Sequence, residues 1–441
     1  MEIVIFVPGI FGSKLKTPDG EEVWPPTPIE AMSGYRRIEK LLQTNLRAAG
    51  VVESVCIDVY GSIIKAIEGF GYSETHERRR LAKFDYDWRR DLNLLSDQFG
   101  QMLADLVKQH GANVEIKLIC HSMGGLVVRG CLEKPGVAAE PWAATVKMAV
   151  FLATPHEGAP LAFARAVGVG GATMGLSAEQ LSRIAAATGF PACFQLFPSA
   201  ALLPIWKLDD PSPFKAVSVF DPAVVANYRL NPDHLVAATT FQARLDPTRR
   251  QPGCRYFAVA SAAHETVTRL DQDHNAAAAV VVKSSGDGTV PIQSATALRV
   301  QTAYVEANHL GVAQKSLTHK IIGMLLGAIP VEPVIATFGV EEAALNLSLS
   351  ERTIAEDSHY EIVITMLPQS ELRACIRVQR DIGNAKLEAV TDIPLEARAD
   401  RLERLSIQGP PLKRGRYVFE LLASDDQIAD KEELLVSANS T

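Results

Sequence analysis

The sequence is short of several things, and each shortage narrows what the chain can be. Its six cysteines (Cys56, Cys120, Cys131, Cys193, Cys254 and Cys375) are scattered over 441 residues without the close pairs that hold a metal. This spacing argues against a zinc site and against a disulfide scaffold, and points to reduced core thiols. No apolar run is long enough to span a bilayer, and the opening Glu2-Ile-Val-Ile-Phe-Val7 reads as a strand rather than a secretory leader. The expected location is therefore the cytoplasm, with export by a signal-independent machine left open. An excess of positive charge is also missing. The formal net charge is −7, which disfavours nucleic acid and strong attraction to anionic lipid surfaces. Asp271, Asp273 and His274 come nearest to a metal-binding group, but their spacing fits no ligand set, and no metal or other cofactor is expected.

Apolar residues are plentiful: 47% of the chain, ample for a large core. The length is roughly two to three times that of a usual domain, so two domains are expected. Ile3–Val7, Lys83–Tyr86, Val146–Ala153, Arg255–Ser261 and Thr302–Glu306 read as strands. Between them lie helical patterns at Ile29–Leu46, Val59–Phe70, Leu92–Gln109 and Gly311–Leu326; Leu92, Leu95, Phe99, Leu103 and Leu106 share one face. Strands alternating with helices, several apolar throughout, indicate a parallel sheet covered on both faces.

The most informative stretch is Val114-Glu-Ile-Lys-Leu-Ile-Cys-His-Ser-Met-Gly-Gly-Leu-Val-Val128. An apolar strand stops at Cys120, Ser122 occupies a tight turn, and a helix runs from Met123. This is the outline of a strand–nucleophile–helix elbow, with Cys120 where the first glycine of G-x-S-x-G is usual. A serine between strand and helix is often only an N-cap, so the partners downstream carry the decision. A serine nucleophile needs a base, and the base needs a carboxylate to orient it. Asp287 lies between two glycines in Ser285-Gly-Asp-Gly-Thr-Val-Pro291, and Ala307-Asn308-His309 follows the last strand. Acid then histidine after the serine is the chain order of an α/β-hydrolase. Two oxyanion donors follow from the same layout, the backbone N–H groups of Met123 and of Ile10.

Five segments, in order, resemble the lecithin:cholesterol acyltransferase family, which includes lysosomal phospholipase A2. They are Val7–Leu15, Tyr86-Asp-Trp-Arg89, His121–Gly125, Gly286–Val290 and Asn308-His-Leu310. Tyr60–Tyr72, Thr154-Pro155 and Phe194–Ser199 have the same character, and the likeness spans about residues 1–330. It implies an acyl enzyme acting on lipid esters, with Ser122 as nucleophile, Asp287 as acid and His309 as base. Trp88, His156 and Phe11 are expected to touch substrate. His121 is expected to point away from Ser122 in a structural role; His319 is expected to face solvent or a helix partner. Asp85, Asp87 and Arg89 read as a buried hydrogen-bonded support.

The expected fold is thus an α/β-hydrolase domain over 1–330, with a cap or lid inserted at about 159–252, followed by an immunoglobulin-like β-sandwich over 333–441. The cap assignment rests on the loss of β/α alternation after Gly158, on the glycines from Gly168 to Gly175, and on the cluster Phe194, Phe197, Leu202, Leu203, Ile205 and Trp206. Trp24, on a proline-rich loop, is either a membrane-touching residue, as the resemblance implies for that place, or a packing residue. The sandwich rests on short alternating runs, cleanest in Tyr417, Phe419 and Leu421. The resemblance does not cover it; it could dock a protein partner, contact carbohydrate or stabilise the enzyme. Three functions stay open: a lipase or phospholipase acting on a lipid ester, with no cofactor; an acyltransferase delivering the acyl group to an alcohol; and a non-catalytic hydrolase-like binding module.

Overall fold

The structure, a computed structural model, describes the chain except residues 201, 208–215, 273–278, 331–344, 367–369, 384–385, 400–402, 423–427 and 438–441. Six strands make one sheet: β1 (Glu2–Val7), β2 (Arg79–Lys83), β3 (Glu115–His121), β4 (Val146–Leu152), β5 (Arg255–Ala260) and β6 (Gln301–Tyr304). Their order is β6-β5-β4-β3-β1-β2, and every pairing is parallel. Ile3 to Val7 have no exposure at all, as a central strand covered on both faces requires. The register pairs Val7 with Cys120 and His121 with Leu152, so the loops carrying Gly9, Ser122 and Thr154 leave from one edge. That carboxyl edge is where open α/β sheets bind ligands.

The flanking helices follow the apolar spacing. α1 spans Gly61–Gly69, α2 Leu92–His110 and α3 Met123–Leu132. Asp91 caps α2 by accepting from the Asn93 amide, worth about 1 kcal/mol, and Leu92, Leu95, Phe99, Leu103 and Leu106 face inward as their spacing predicts. Every residue of α3 is buried, which only a helix with Gly124, Gly125 and Gly130 against its neighbours could tolerate.

Three expected elements differ. The helix over 29–46 is two short ones, Pro28–Ser33 and Ile38–Leu41, because Gly34 (φ 91°) ends the first. There Glu30 is drawn back into a capping box with Thr27 and an ion pair with Arg37. The pattern over 311–326 is split at Lys315, whose extended backbone (ψ 138°) lets its ammonium reach Leu347 O, Asp430 and Glu432. The strand expected at 83–86 lies at Arg79–Lys83 instead, since Tyr86 is taken up by Ser13 Oγ and Pro8 O.

Over the carboxyl edge sit α4 (Pro160–Ala166), α5 (Ala178–Ala186) and α6 (Ala192–Gln195). Phe163, Phe194, Phe197, Ile205, Val219 and Val224 form a separate apolar cluster beneath them, while Leu203 is exposed. Strands Ile205–Lys207 and Ala216–Val217 lie in a four-stranded sheet with the antiparallel pair His264–Gln272 and Ala279–Gly286. That pair lies beyond residue 252 and its strands do not stand out in the sequence. Trp24 is fully buried, packed on Phe11, Trp88 and Tyr35, with its indole N–H on Phe11 O. It is a packing residue.

The C-terminal region is β-rich, mainly antiparallel, and forms two sheets. One contains β7 (Leu345–Leu349), β9 (Glu361–Met366) and β12 (Glu403–Gln408). The other contains β8 (Thr353–Ala355), β10 (Ser370–Gly383), β11 (Lys386–Ala399), β13 (Gly415–Leu422) and β14 (Ile428–Ser437), with β8 parallel to β14. Leu347, Ile362 and Ile364 of the first sheet share a core with Ile376, Phe419 and Leu434 of the second. β10 and β11 run 14 residues each, well beyond the short strands at 373–380 and 386–390 that alternation indicates.

Candidate active site

Ser122 follows β3 directly and has φ 53° and ψ −127°, a conformation that costs a non-glycine residue about 1–3 kcal/mol. Two hydrogen bonds hold it there, Ser122 N–H to Leu152 O (2.9 Å) and Gly125 N–H to Ser122 O (3.0 Å). The turn also needs close backbone approach. A Cβ on Gly124 would lie 2.3 Å from Pro8 O, and one on Gly9 would lie 2.9 Å from Ser122 Cβ. Cys120, in the place of the usual glycine, is fully buried in β3.

Ser122, Asp287 and His309 meet above the sheet. His309 Nε2 lies 2.8 Å from Ser122 Oγ, and His309 Nδ1 lies 2.8 Å from Asp287 Oδ2. Asp287 Oδ1 accepts from the amides of Thr289 (2.9 Å) and Val290 (2.7 Å), which fixes the carboxylate with its other oxygen toward the ring. With Asp287 as acceptor, Nδ1 carries the proton and Nε2 is free to accept from the serine hydroxyl. The Asp287 turn is held from below by Gly288 N–H to Thr266 Oγ1 (2.8 Å), and Asn308 ties the histidine loop by donating to Leu349 O of β7 (3.1 Å).

A second hydrogen-bonded chain runs behind these three. Gly9 N–H donates to Tyr60 Oη (2.9 Å), Tyr60 Oη lies 2.8 Å from His121 Nδ1, and His121 Nε2 lies 2.9 Å from His309 O. A carbonyl only accepts, so Nε2 bears the His121 proton and Nδ1 accepts from the tyrosine hydroxyl. Burial, reinforced by the nearby His309 ring, pushes the His121 pKa down to about 3 and keeps it neutral. His121 therefore does point away from Ser122, but it joins the Gly9 loop to the His309 loop, a link that its position beside the serine did not reveal. Tyr86 Oη donates to Pro8 O (2.6 Å), so the same loop is held from both sides. The Ile10 amide forms no hydrogen bond among the described residues, and Met123 is the first residue of α3, where an amide has no intrahelical acceptor.

Phe11 and Trp88 line the pocket above Ser122 and pack edge to face (4.6 Å). His156 does not line it. Its ring is buried against Phe151 (5.1 Å), neither ring nitrogen has a partner among the described residues, and burial drives its pKa well below the usual value. The chain turns the side chain inward at Pro155, which borders the pocket in its place. Arg89 forks onto Asp87 (2.7 and 2.8 Å), donates to Leu41 O and Gln43 O, and stacks on Phe190 of the insertion; Asp85 accepts from the Gly50 amide. These three are structural supports, as expected. His319 is half-buried with Nε2 on Ala313 O (3.0 Å). Asp271 is described and pairs with Arg269, whereas Asp273 and His274 lie outside the described residues.

The pocket lining is of two kinds. Met174, Leu181, Ile184, Phe190 and Leu196 of the insertion make an apolar wall. Arg165, Thr289, Ser350, Glu351 and Arg352 make a polar one, three of them from the β-rich region. The contribution of residues 350–352 is not legible in sequence, because nothing local in Ser350-Glu-Arg marks it as lining a distant pocket.

No curated protein matches the chain. Among solved structures, phospholipase PlaB from Legionella pneumophila in complex with thio-NAD is similar at 11% identity and a TM-score of 0.29, covering 100% of this chain and 90% of that one. A cutinase-like protein from Cryptococcus sp. is similar at 10% identity and a TM-score of 0.21 over 36% of this chain, which spans 57% of that protein's length. At these TM-scores neither likeness carries weight. The family profile for Lecithin:cholesterol acyltransferase matches residues 21–227, a span that holds Tyr86–Arg89 and His121–Gly125 and ends before Asp287 and His309. Over residues 21–227, then, the chain is similar to the lecithin:cholesterol acyltransferase family.

Proposed function

We propose that the protein is a serine hydrolase that cleaves carboxylic esters of lipids through an acyl-enzyme on Ser122. One observation carries this reading: the unbroken Ser122–His309–Asp287 hydrogen-bonded chain at the base of a largely apolar pocket. His309 Nε2 takes the hydroxyl proton as Ser122 Oγ attacks the ester carbonyl, and Asp287 stabilises the imidazolium that forms. The carbonyl oxygen becomes an oxyanion and is met by the Ile10 and Met123 amides, each worth about 3 kcal/mol of barrier. His309 then returns the proton to the departing alcohol oxygen, leaving the acyl group on Ser122. Water, deprotonated by the same ring, releases the fatty acid.

On this reading residues 1–330 are an α/β-hydrolase domain, the insertion over its carboxyl edge is a cap that takes the acyl chain, and residues 333–441 are an immunoglobulin-like sandwich. Phe11 and Trp88 contact the substrate near its ester. The test is hydrolysis of a mixed lipid-ester extract by the protein and by Ser122→Ala. Fatty acid release that falls to background in a folded Ser122→Ala protein supports the reading; unchanged release ends it. If new ester appears in place of fatty acid when an alcohol is supplied, acyl transfer replaces hydrolysis as the reaction.

A further inference from the structure

β7 lies at the edge of its sheet: β9 pairs with one side of it, and among the described residues no strand pairs with the other. Such an edge leaves a row of backbone N–H and C=O groups that need partners. Here side chains supply them. Leu347 N–H donates to Asp430 Oδ2 (2.9 Å), Leu347 O accepts from Lys315 Nζ (2.9 Å), and Leu349 O accepts from Asn308 Nδ2 (3.1 Å). Both donors flank the base: Asn308 directly precedes His309, and Lys315 closes the short helix Gly311–Gln314 that follows it, with its amide on Gly311 O (3.0 Å). The Lys315 ammonium also pairs with Asp430 (2.9 Å) and Glu432 (3.1 Å) of β14, giving three acceptors for its three N–H donors. That full set is what lets a lysine side chain sit only 11% exposed.

The same strand reaches the acid. Leu347 and Leu349 turn their side chains into the core of the β-rich region, so Ser348 between them faces the other way. Its Oγ lies 2.5 Å from His264 Nε2, and the His264 backbone pairs with Gly286 and bridges to Asp287. One residue beyond β7, Ser350 O lies 3.2 Å from the Cβ position of Gly288, against the Asp287 turn. Consecutive residues from Leu347 to Ser350 therefore touch the loop of the acid and the loop of the base. Ser122 is held separately, by Leu152 O and the Gly125 amide.

We propose that β7 is a splint that fixes the spacing of Asp287 and His309, and that Lys315 is the positioning residue that locks the His309 loop onto it. Neither touches a reacting atom; both act through the imidazole, which must stay within 2.8 Å of Ser122 Oγ and of Asp287 Oδ2 at once. A displacement of about 1 Å from such a geometry costs on the order of 100-fold in rate. The splint rests on the serine-hydrolase reading above. It gives the β-rich region a part in the chemistry that is independent of which ester is bound.

The experiment uses the full chain and a soluble short-chain p-nitrophenyl ester, with kcat and KM measured separately and urea unfolding run on every variant. Lys315→Met keeps an unbranched side chain and removes the ammonium. It is expected to lower kcat ~10- to 100-fold with KM nearly unchanged, and to slow fluorophosphonate labelling of Ser122 in proportion, since both need the base in place. Lys315→Arg, which restores a cation, should recover part of the loss. Ser348→Ala cuts the link to His264 alone and is expected to lower kcat less, again with KM unchanged. Asp381→Ala is the control: it breaks the pair with Arg416 (2.9 Å) in the other sheet of the β-rich region, and should lower stability while leaving kcat unaltered. A folded Lys315→Met protein that keeps its kcat and labelling rate would overturn the splint alone. So would an Asp381→Ala protein that loses as much kcat for the same loss of stability. If Lys315→Met does not fold, Ser348→Ala decides by the same measure, and an unchanged kcat there overturns the splint. An unaltered protein that neither turns over the ester nor takes the label would overturn the serine-hydrolase reading and the splint with it.

Discussion

Removing one oxygen atom from Tyr60 tests whether the second hydrogen-bonded chain matters. Tyr60→Phe keeps the ring that packs on Phe6 (5.0 Å) and deletes the hydroxyl between Gly9 N–H and His121 Nδ1. Both groups are buried, so neither regains water. An unsatisfied buried donor or acceptor costs about 1–3 kcal/mol, and two of them, with some relaxation, give an expected loss of about 2–4 kcal/mol. The effect should reach the chemistry as well. Gly9 precedes the Ile10 amide, and His121 holds the His309 carbonyl, so the oxyanion donor and the base both loosen. A full donor is worth about 3 kcal/mol of barrier, so partial misplacement predicts a kcat loss of ~10- to 100-fold. Urea unfolding with unchanged m-value gives the first number, and turnover of a short-chain p-nitrophenyl ester gives the second. Tyr72→Phe is the control. It removes a hydroxyl that donates to Glu2 (3.1 Å) at the opposite end of β1 and should leave kcat unaltered. A Tyr60→Phe protein that loses under ~0.5 kcal/mol and keeps its kcat would refute the linkage.

Two further outcomes are expected. Glu133→Ala strands Arg129, which is 4% exposed and paired to Glu133 by two 2.9 Å hydrogen bonds, and should cost about 3–5 kcal/mol in urea unfolding. Acid should destabilise the protein through His121: its folded pKa of about 3 lies below the usual 6.5, so the unfolded chain binds a proton that the folded one refuses. This contribution is complete above pH 6.5 and is lost as pH falls toward 3, about 2 kcal/mol of it by pH 5, and His121→Gln should flatten that slope in unfolding measured at pH 5 and 7.

The parts of this molecule that repeat a local rule were readable in its sequence. Continuous apolar runs marked β1, β3 and β4, the 3.6-residue spacing marked α2, and the Cys120-His-Ser-Met-Gly124 turn marked the elbow. The positions of Asp287 and His309 followed from chain order, and the structure brings both to Ser122. What escaped was decided by distant partners. Helical patterns over 29–46 and 311–326 were broken where Glu30 met Arg37 and where Lys315 reached Asp430 and Glu432. Strand His264–Gln272 pairs with Ile205–Lys207, more than 50 residues earlier, a match that no window on the sequence contains. His156 looked like a pocket residue because it follows a strand end, but its ring turned to Phe151. The polar wall at 350–352 depends on how the β-rich region meets the Asp287 turn, which no short motif encodes.

Peptide mapping after treatment with a fluorophosphonate is the decisive experiment, because the reagent reports an activated serine without requiring the right substrate. One adduct per chain is expected, on the peptide bearing Ser122, that disappears in Ser122→Ala and is strongly slowed in His309→Ala. A folded protein that stays unlabelled, or that carries its adduct on another residue, would contradict that expectation.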